Sequence, residues 1–422
     1  MRILVIGGYG FIGRAVGEAL LARGHETVGW GRSAALGRKL LPDAQWIAGD
    51  LRHMASPADW NDVLAGVDAV VNASGALQDG ADGRLGQVQG RAIVALIDAC
   101  AAAGIRRFVQ ISAPGATADA DTGFMASKAV ADAYLRASGL DWTILRPALV
   151  IGRNAYGGTA LLRALAAFPV QLTVHGDSLV QCVALDEVAA ACVEGVEGRS
   201  PPRSDLILAA PERLTLRDAV VLHRRWLGLP PAKHAMDLPP AFAAPIAWAA
   251  DIAGWFGWRS PLRSTALRVM GNGVVADDTS DAPRASLARI LAANPAGLQD
   301  RLAARLFLLQ PLIILSLAAL WIGSGIVGLI RTADAAALLG GSDSAATLVR
   351  ACSILDLMLG GAILVRAWAR RAALGMAIVS LLYLIASAVL TPALWLDPLA
   401  PLLKILPALM LALVAAAILE RR

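Results

Sequence analysis

Polar and apolar positions follow two rhythms along this chain. From residue 1 to about 300, short apolar runs alternate with stretches in which small and apolar residues recur on one helical face. From 306 to 419 long apolar runs dominate, in four segments at about 306–330, 347–365, 372–394 and 399–419. Each is long enough, or nearly so, to cross a hydrocarbon layer of roughly 30 Å, which takes about 20 helical residues. The early rhythm predicts a strand at Arg2–Ile6, a helix from Phe11 to Arg23 ended by Gly24, and a strand at Glu26–Trp30. The alternation continues through QWIAGDL, VDAVVNASG, RRFVQISA and DWTILRP, with helices such as GRAIVALIDACAAAG between.

That pattern predicts an α/β fold with a doubly wound parallel sheet and a small α/β subdomain, followed by an all-α four-helix transmembrane bundle. The domains are expected at 1–200, 201–300 for the subdomain and linker helices, and 301–422. Composition agrees, since 57% of residues are hydrophobic and 17% charged, too apolar for an ordinary soluble protein. The net charge of +5 comes without a basic stripe or interleaved aromatics, so no nucleic-acid partner is expected. Cys100, Cys182, Cys192 and Cys352 lie far apart with no metal-ligand spacing, so no metal site is expected either. The run ILVI near the N-terminus is too short for a cleaved signal and reads as a buried strand.

Gly7, Gly10 and Gly13 stand at three-residue spacing between the first strand and the first helix. Glycines there let the backbone approach a pyrophosphate, whose charge is held by free N–H groups at the helix start, including those of Phe11 and Ile12. A carboxylate at the end of the second strand would bind a ribose 2′-OH. Gly31, Arg32 and Ser33 stand there instead, and Arg32 favours a 2′-phosphate, hence NADP(H) over NAD(H). Asp50 and Leu51 of GDL are placed to meet the adenine. Ser74 and Gly75 of NASG should run along the cofactor.

These residues carry a family resemblance. The GGYGFIG turn, GDL, NASG, ISA, the ASK segment and ILRPALVIG resemble the short-chain dehydrogenase/reductase superfamily in its extended or atypical branch, over roughly residues 1 to 280. The resemblance implies a Rossmann fold. It gives Ser112 the place of the active-site serine and Lys128 that of the lysine holding the nicotinamide ribose; Pro147 takes that of the proline touching the nicotinamide. It also exposes a departure, because the family's proton-donating Tyr, one helical turn before the lysine, is Phe124 here. Tyr134, six residues beyond Lys128, lies on another helix face and does not replace it. Members of this branch that bind NADPH without evident turnover, among them an accessory subunit of respiratory complex I, are similar to this chain. The expected function is therefore a membrane-anchored NADP(H)-binding protein acting on an apolar carbonyl or quinone, the alternative being a non-catalytic assembly factor or redox sensor.

The tail resembles the DoxX-like family, from WIGSG in the first apolar segment and DPLAPLLKILP in the fourth. Asp356 falls within the second segment, where a charge is costly, and Lys404 is its expected partner, with Arg350 second. Arg301, Arg305, Arg366, Arg370, Arg371, Arg421 and Arg422 gather on one side, which predicts four spans with both termini and the nucleotide domain cytoplasmic, in a bacterial-type inner membrane. The partners expected are the lipid bilayer, a quinone or lipid-like small molecule, and a membrane protein. The aromatic run PIAWAADIAGWFGWR fits either a membrane-surface segment or a helical lid.

Overall fold

The computed structural model describes residues 1–75, 85–120, 122–258, 260–271, 273–276, 284–398 and 400–419, without the side chains of 85–89 and 124. Two compact units result, Met1–Asp251 with Ser260–Ala304, and Ile252–Arg259 with Arg305–Arg422.

The first unit opens with β1 (Arg2–Ile6), α1 (Phe11–Ala22), β2 (Glu26–Gly31), α2 (Ala34–Leu40) and β3 (Gln45–Ala48). After a short helix α3 (Asn61–Leu64) come β4 (Ala69–Asn72), α4 (Leu85–Ala102), β5 (Arg107–Ile111), α5 (Gly123–Ala137) and β6 (Asp141–Pro147). With the strand Ser204–Leu208 they form a seven-stranded sheet, ordered Ser204–Leu208, β6, β5, β4, β1, β2, β3. All its pairings are parallel, with Ile6 opposite both Trp30 and Asn72. Both faces are covered: Leu96 and Ile97 of α4 and Leu135 of α5 pack on one, Val16 and Leu20 of α1 with Val188 and Cys192 on the other. That double burial is why the strands read as apolar runs rather than alternating ones. The seventh strand lies beyond residue 200, so the sheet extends past the boundary expected there.

Three two-stranded ribbons make the small subdomain: Leu149–Ile151 with Cys182–Ala184, Leu179–Val180 with Leu214–Thr215, and Val170–Thr173 with His234–Asp237.

In the second unit the apolar logic inverts. Small and medium residues such as Leu317, Ala373, Met376, Ala412 and Ala415 are buried, while Leu312, Ile330, Ile378 and Val389 are exposed. An outer face this apolar belongs in lipid. Three helices, Leu298–Ile330, Asp343–Ala362 and Ala369–Leu390, are long and apolar enough to cross a membrane. The fourth expected span differs. Its helix covers only Ile405–Ile418, fourteen residues or about 21 Å, short of the roughly 30 Å layer. Pro407 in its first turn cannot donate to the Leu403 carbonyl and so holds the start late, and Pro401 disfavours helical geometry in the residue before it. That residue, Ala400, sits at φ +47°.

Candidate functional site

β1 and β4 are neighbours whose following helices cover opposite faces, so a crevice opens between them at the carboxyl end of the sheet. The glycine turn fills the β1 side. Gly7 takes φ +74°, and Gly10 N–H donates to the Gly7 carbonyl at 2.8 Å. A Cβ on Gly13 would lie 2.3 Å from the Gly7 carbonyl oxygen, so only glycine lets α1 approach this closely. The helix starts with Gly10 as a cap that has no side chain to offer, and no acidic residue lies in its first turn. Its first N–H groups have no partner within the helix. Backbone close to a helix start, with no competing anion in the helix's own cap or first turn, fits a dinucleotide's diphosphate. Phe11 stacks on Tyr156 with ring centroids 6.3 Å apart, and Ile12 packs against the core, so the side chains of both are engaged within the fold.

At the end of β2, Arg32 is exposed and the Ser33 hydroxyl accepts from Leu36 N–H at 3.2 Å to cap α2. Asp50 is engaged already. Its carboxylate accepts from Arg52 N–H at 3.1 Å and from the Arg52 guanidinium at 2.7 Å, bonds that hold its pKa below the ordinary value, with Arg32 contributing. Leu51 opens the following 3-10 turn, Leu51–His53. Sequence reasoning missed the Tyr9–Trp46 pair, with centroids 5.9 Å apart. Its signal was the glycines around it, since a Cβ on Gly29 or Gly37 would strike Trp46 and one on Gly31 would strike Tyr9.

On the β4 side, Ser74 donates from its hydroxyl to Asn72 Oδ1 at 2.5 Å, and Asn72 Nδ2 donates to Gln110 Oε1 at 2.8 Å. Gly75 is exposed, and the loop at 76–84 lies outside the described residues. Ser112 follows β5 and Pro147 ends β6, both buried. Lys128, on α5, donates to the Ile111 carbonyl at 2.6 Å, so it does reach the end of β5 beside Ser112. Phe124 stands one turn earlier on α5; its side chain lies outside the described residues. Tyr134 donates to Asp98 at 2.7 Å, where its hydroxyl is occupied.

The Ser112 hydroxyl donates to Asp132 Oδ2 at 2.5 Å. Asp132 is fully buried and also accepts from Arg146 at 2.9 Å; Arg146 in turn bonds Asp205, which Arg136 also reaches. Neither Asp132 nor Arg146 was among the expected site residues. The available signal was the four-residue spacing from Lys128 to Asp132, which puts both on one helical face. Burial pushes the Asp132 carboxyl up, against the opposing bonds from Ser112 and Arg146. Burial also brings the Lys128 ammonium down to about 8, with Asp132 opposing. Truncating one member of a buried ionic network leaves the rest uncompensated. Asp132→Ala is therefore expected to destabilise the first unit by on the order of 3 kcal/mol, seen as a lower thermal midpoint, while Asp98→Ala at the surface changes it little.

In the second unit Asp356 is buried, as its place in an apolar helix required, but its partners differ from expectation. Ser324 donates to Oδ2 and Tyr383 to Oδ1, each at 2.8 Å, while Lys404 stands at the N-terminal cap of Ile405–Ile418. Hydroxyls from two neighbouring helices take the place of the expected cation.

Comparison with known proteins agrees with this anatomy. Residues 7–194 match a family described as NAD(P)H-binding, and residues 318–413 match the DoxX-like family. An uncharacterised chloroplastic protein of Arabidopsis thaliana is 28% identical over 220 residues, 50% of this chain and 66% of that one. The 2-alkyl-3-oxoalkanoate reductase of Stenotrophomonas maltophilia is 28% identical over 274 residues, 57% of this chain and 80% of the reductase. The chain thus spans just under two thirds of the Arabidopsis relative, and 22% of an uncharacterised protein of Mycobacterium tuberculosis. The crystal structure of gox2253 superposes with a TM-score of 0.54 at 20% identity, over 72% of this chain and 99% of that one, a likeness of fold alone. The chain joins a Rossmann-like domain that matches an NAD(P)H-binding family to a helical region that matches the DoxX-like family.

Proposed function

We propose that this is a membrane-anchored NADP(H)-binding protein that passes hydride between the nicotinamide and an apolar carbonyl or quinone. The observation that carries the cofactor part is the contact of Gly13 with Gly7 beneath a helix start without a side-chain cap. Arg32, exposed where the second strand ends without a carboxylate, supports the 2′-phosphate form. The bound nicotinamide supplies the hydride. The chain's own part is to hold the diphosphate on the first turn of α1, the adenosine 2′-phosphate at Arg32 and the nicotinamide ribose at Lys128. Pro147 would lie against the nicotinamide ring. An apolar substrate follows from the membrane domain, and a reductase relative named for an alkyl-substituted oxoalkanoate supports it. The arginine bias supports cytoplasmic termini, and four spans, an even number, would bring both ends to that side.

A second reading, a cofactor-bound assembly factor or redox sensor without turnover, draws on two observations. The Ser112 proton is turned inward to Asp132, and Phe124 has none to give.

The test uses the full chain in detergent, titrated with NADPH and NADH. NADPH is expected to bind more tightly, and Arg32→Glu to lower its affinity roughly 10- to 100-fold, the scale of one or two charge-assisted hydrogen bonds, while leaving NADH unchanged. Equal loss for both coenzymes would remove the 2′-phosphate assignment; no binding of either would remove the cofactor reading. Steady NADPH oxidation with a 3-oxoalkanoate ester or a short-chain quinone distinguishes enzyme from sensor.

A further inference from the structure

The segment Ile252–Arg259 belongs to the second unit although it lies far upstream of the DoxX-like match. Trp258 Nε1 donates to the Leu364 carbonyl at 2.5 Å, Arg366 N–H donates to the Phe256 carbonyl at 3.0 Å, and the Arg366 guanidinium lies 5.4 Å from the Trp258 ring. Arg366 also reaches the Leu419 carbonyl, just past the last helix, at 3.5 Å. The segment is therefore pinned to the turn joining the helices Asp343–Ala362 and Ala369–Leu390, where that last helix also ends. A turn between two crossing helices sits at a bilayer surface by necessity. Around it three large rings are left uncovered: Trp255 is 69% exposed, Phe256 46% and Trp368 62%. Exposed Arg370 and Arg371 stand beside Trp368 in the chain.

We infer that Trp255, Phe256 and Trp368 with Arg370 and Arg371 form a collar that seats anionic phospholipid at headgroup level. Continuity with the apolar outer faces of the spans selects lipid as the occupant: the rings lie where the hydrocarbon layer gives way to headgroups, the depth that amphipathic aromatic rings prefer. Arginine adds a planar donor fork suited to phosphate. The consequence is that this segment, outside the tail itself, contributes to the membrane anchor and fixes the lipid class around it.

The test reconstitutes the full chain into nanodiscs of phosphatidylcholine, with or without phosphatidylglycerol, using lipids brominated near the headgroup or deep in the chain. The emission of Trp255 and Trp368 is the difference between wild type and the Trp255→Phe/Trp368→Phe double variant. It should be quenched at least twofold more by the shallow bromines. Phosphatidylglycerol retained on purification should fall by half or more in Arg370→Gln/Arg371→Gln. Difference emission that neither lipid quenches, which would mean that the rings face water or protein, overturns the collar. Equal retention of the two lipid classes by wild type overturns the anionic preference. Both outcomes are read in nanodiscs that have incorporated the protein, so they stand apart from whether it binds a nucleotide.

Discussion

Gly13→Ala is expected to weaken NADPH binding by roughly a hundredfold, about 3 kcal/mol, the upper end of what overpacking a tight contact costs. The added methyl would sit 2.3 Å from the Gly7 oxygen and 2.9 Å from the Gly7 carbonyl carbon. Both are backbone atoms, so no side chain can swing aside. Either α1 backs away from the turn or Gly7 leaves its left-handed conformation, and each spreads the N–H groups that the proposed diphosphate would use. Gly139→Ala, whose methyl meets nothing within 4 Å, is the control and should bind as wild type does. Calorimetric titration alongside a thermal melt separates lost affinity from lost folding. An unaltered dissociation constant for the Gly13 variant would mean that the diphosphate does not rest on this turn.

The second large effect is a gain. Phe124→Tyr should raise the rate of NADPH oxidation with a 3-oxoalkanoate ester by about 10²- to 10⁴-fold, the usual contribution of one positioned acid. Position 124 precedes Lys128 by one turn on α5, and the Lys128 ammonium is already held at the end of β5. A phenol placed there would be acidified by that neighbouring positive charge. The gained activity should fall again on Lys128→Met. If the tyrosine variant still binds NADPH and its turnover equals that of wild type, the substrate does not dock over α5, and the sensor reading gains.

Much of the first unit was legible in the sequence because its determinants are local. A β-branched strand, three glycines at fixed spacing and an apolar helical face are set by residues within about twenty positions of one another, and steric rules act at that range. The parallel, doubly wound character of the sheet follows from the same alternation, since strand–helix–strand crossovers are right-handed, whereas the strand order and the seventh strand, Ser204–Leu208, came only with the tertiary structure. Lys128 took its expected place from the family resemblance, and its contact with the Ile111 carbonyl comes from α5 packing back over the end of β5. The three long apolar helices were legible too, as length and hydropathy alone meet the demand of the bilayer.

The tertiary structure decided what depends on distant segments meeting. Ser112 could be placed from its strand, but the direction of its hydroxyl was set by Asp132, twenty residues on, and by Arg146 and Asp205 behind it. Asp356 was recognisable as a costly buried charge. Its partners, Ser324 and Tyr383, come from two other helices, and neutral hydroxyls leave no charge signature in a sequence. The tie of Trp258 to Leu364 spans more than a hundred residues. The sequence alone determined which elements form and where glycine is obligatory, because those preferences are short-range. Hydrogen-bond direction, ion pairing and the membership of each unit waited on packing, because a buried polar group takes whichever partner the fold brings within about 3 Å.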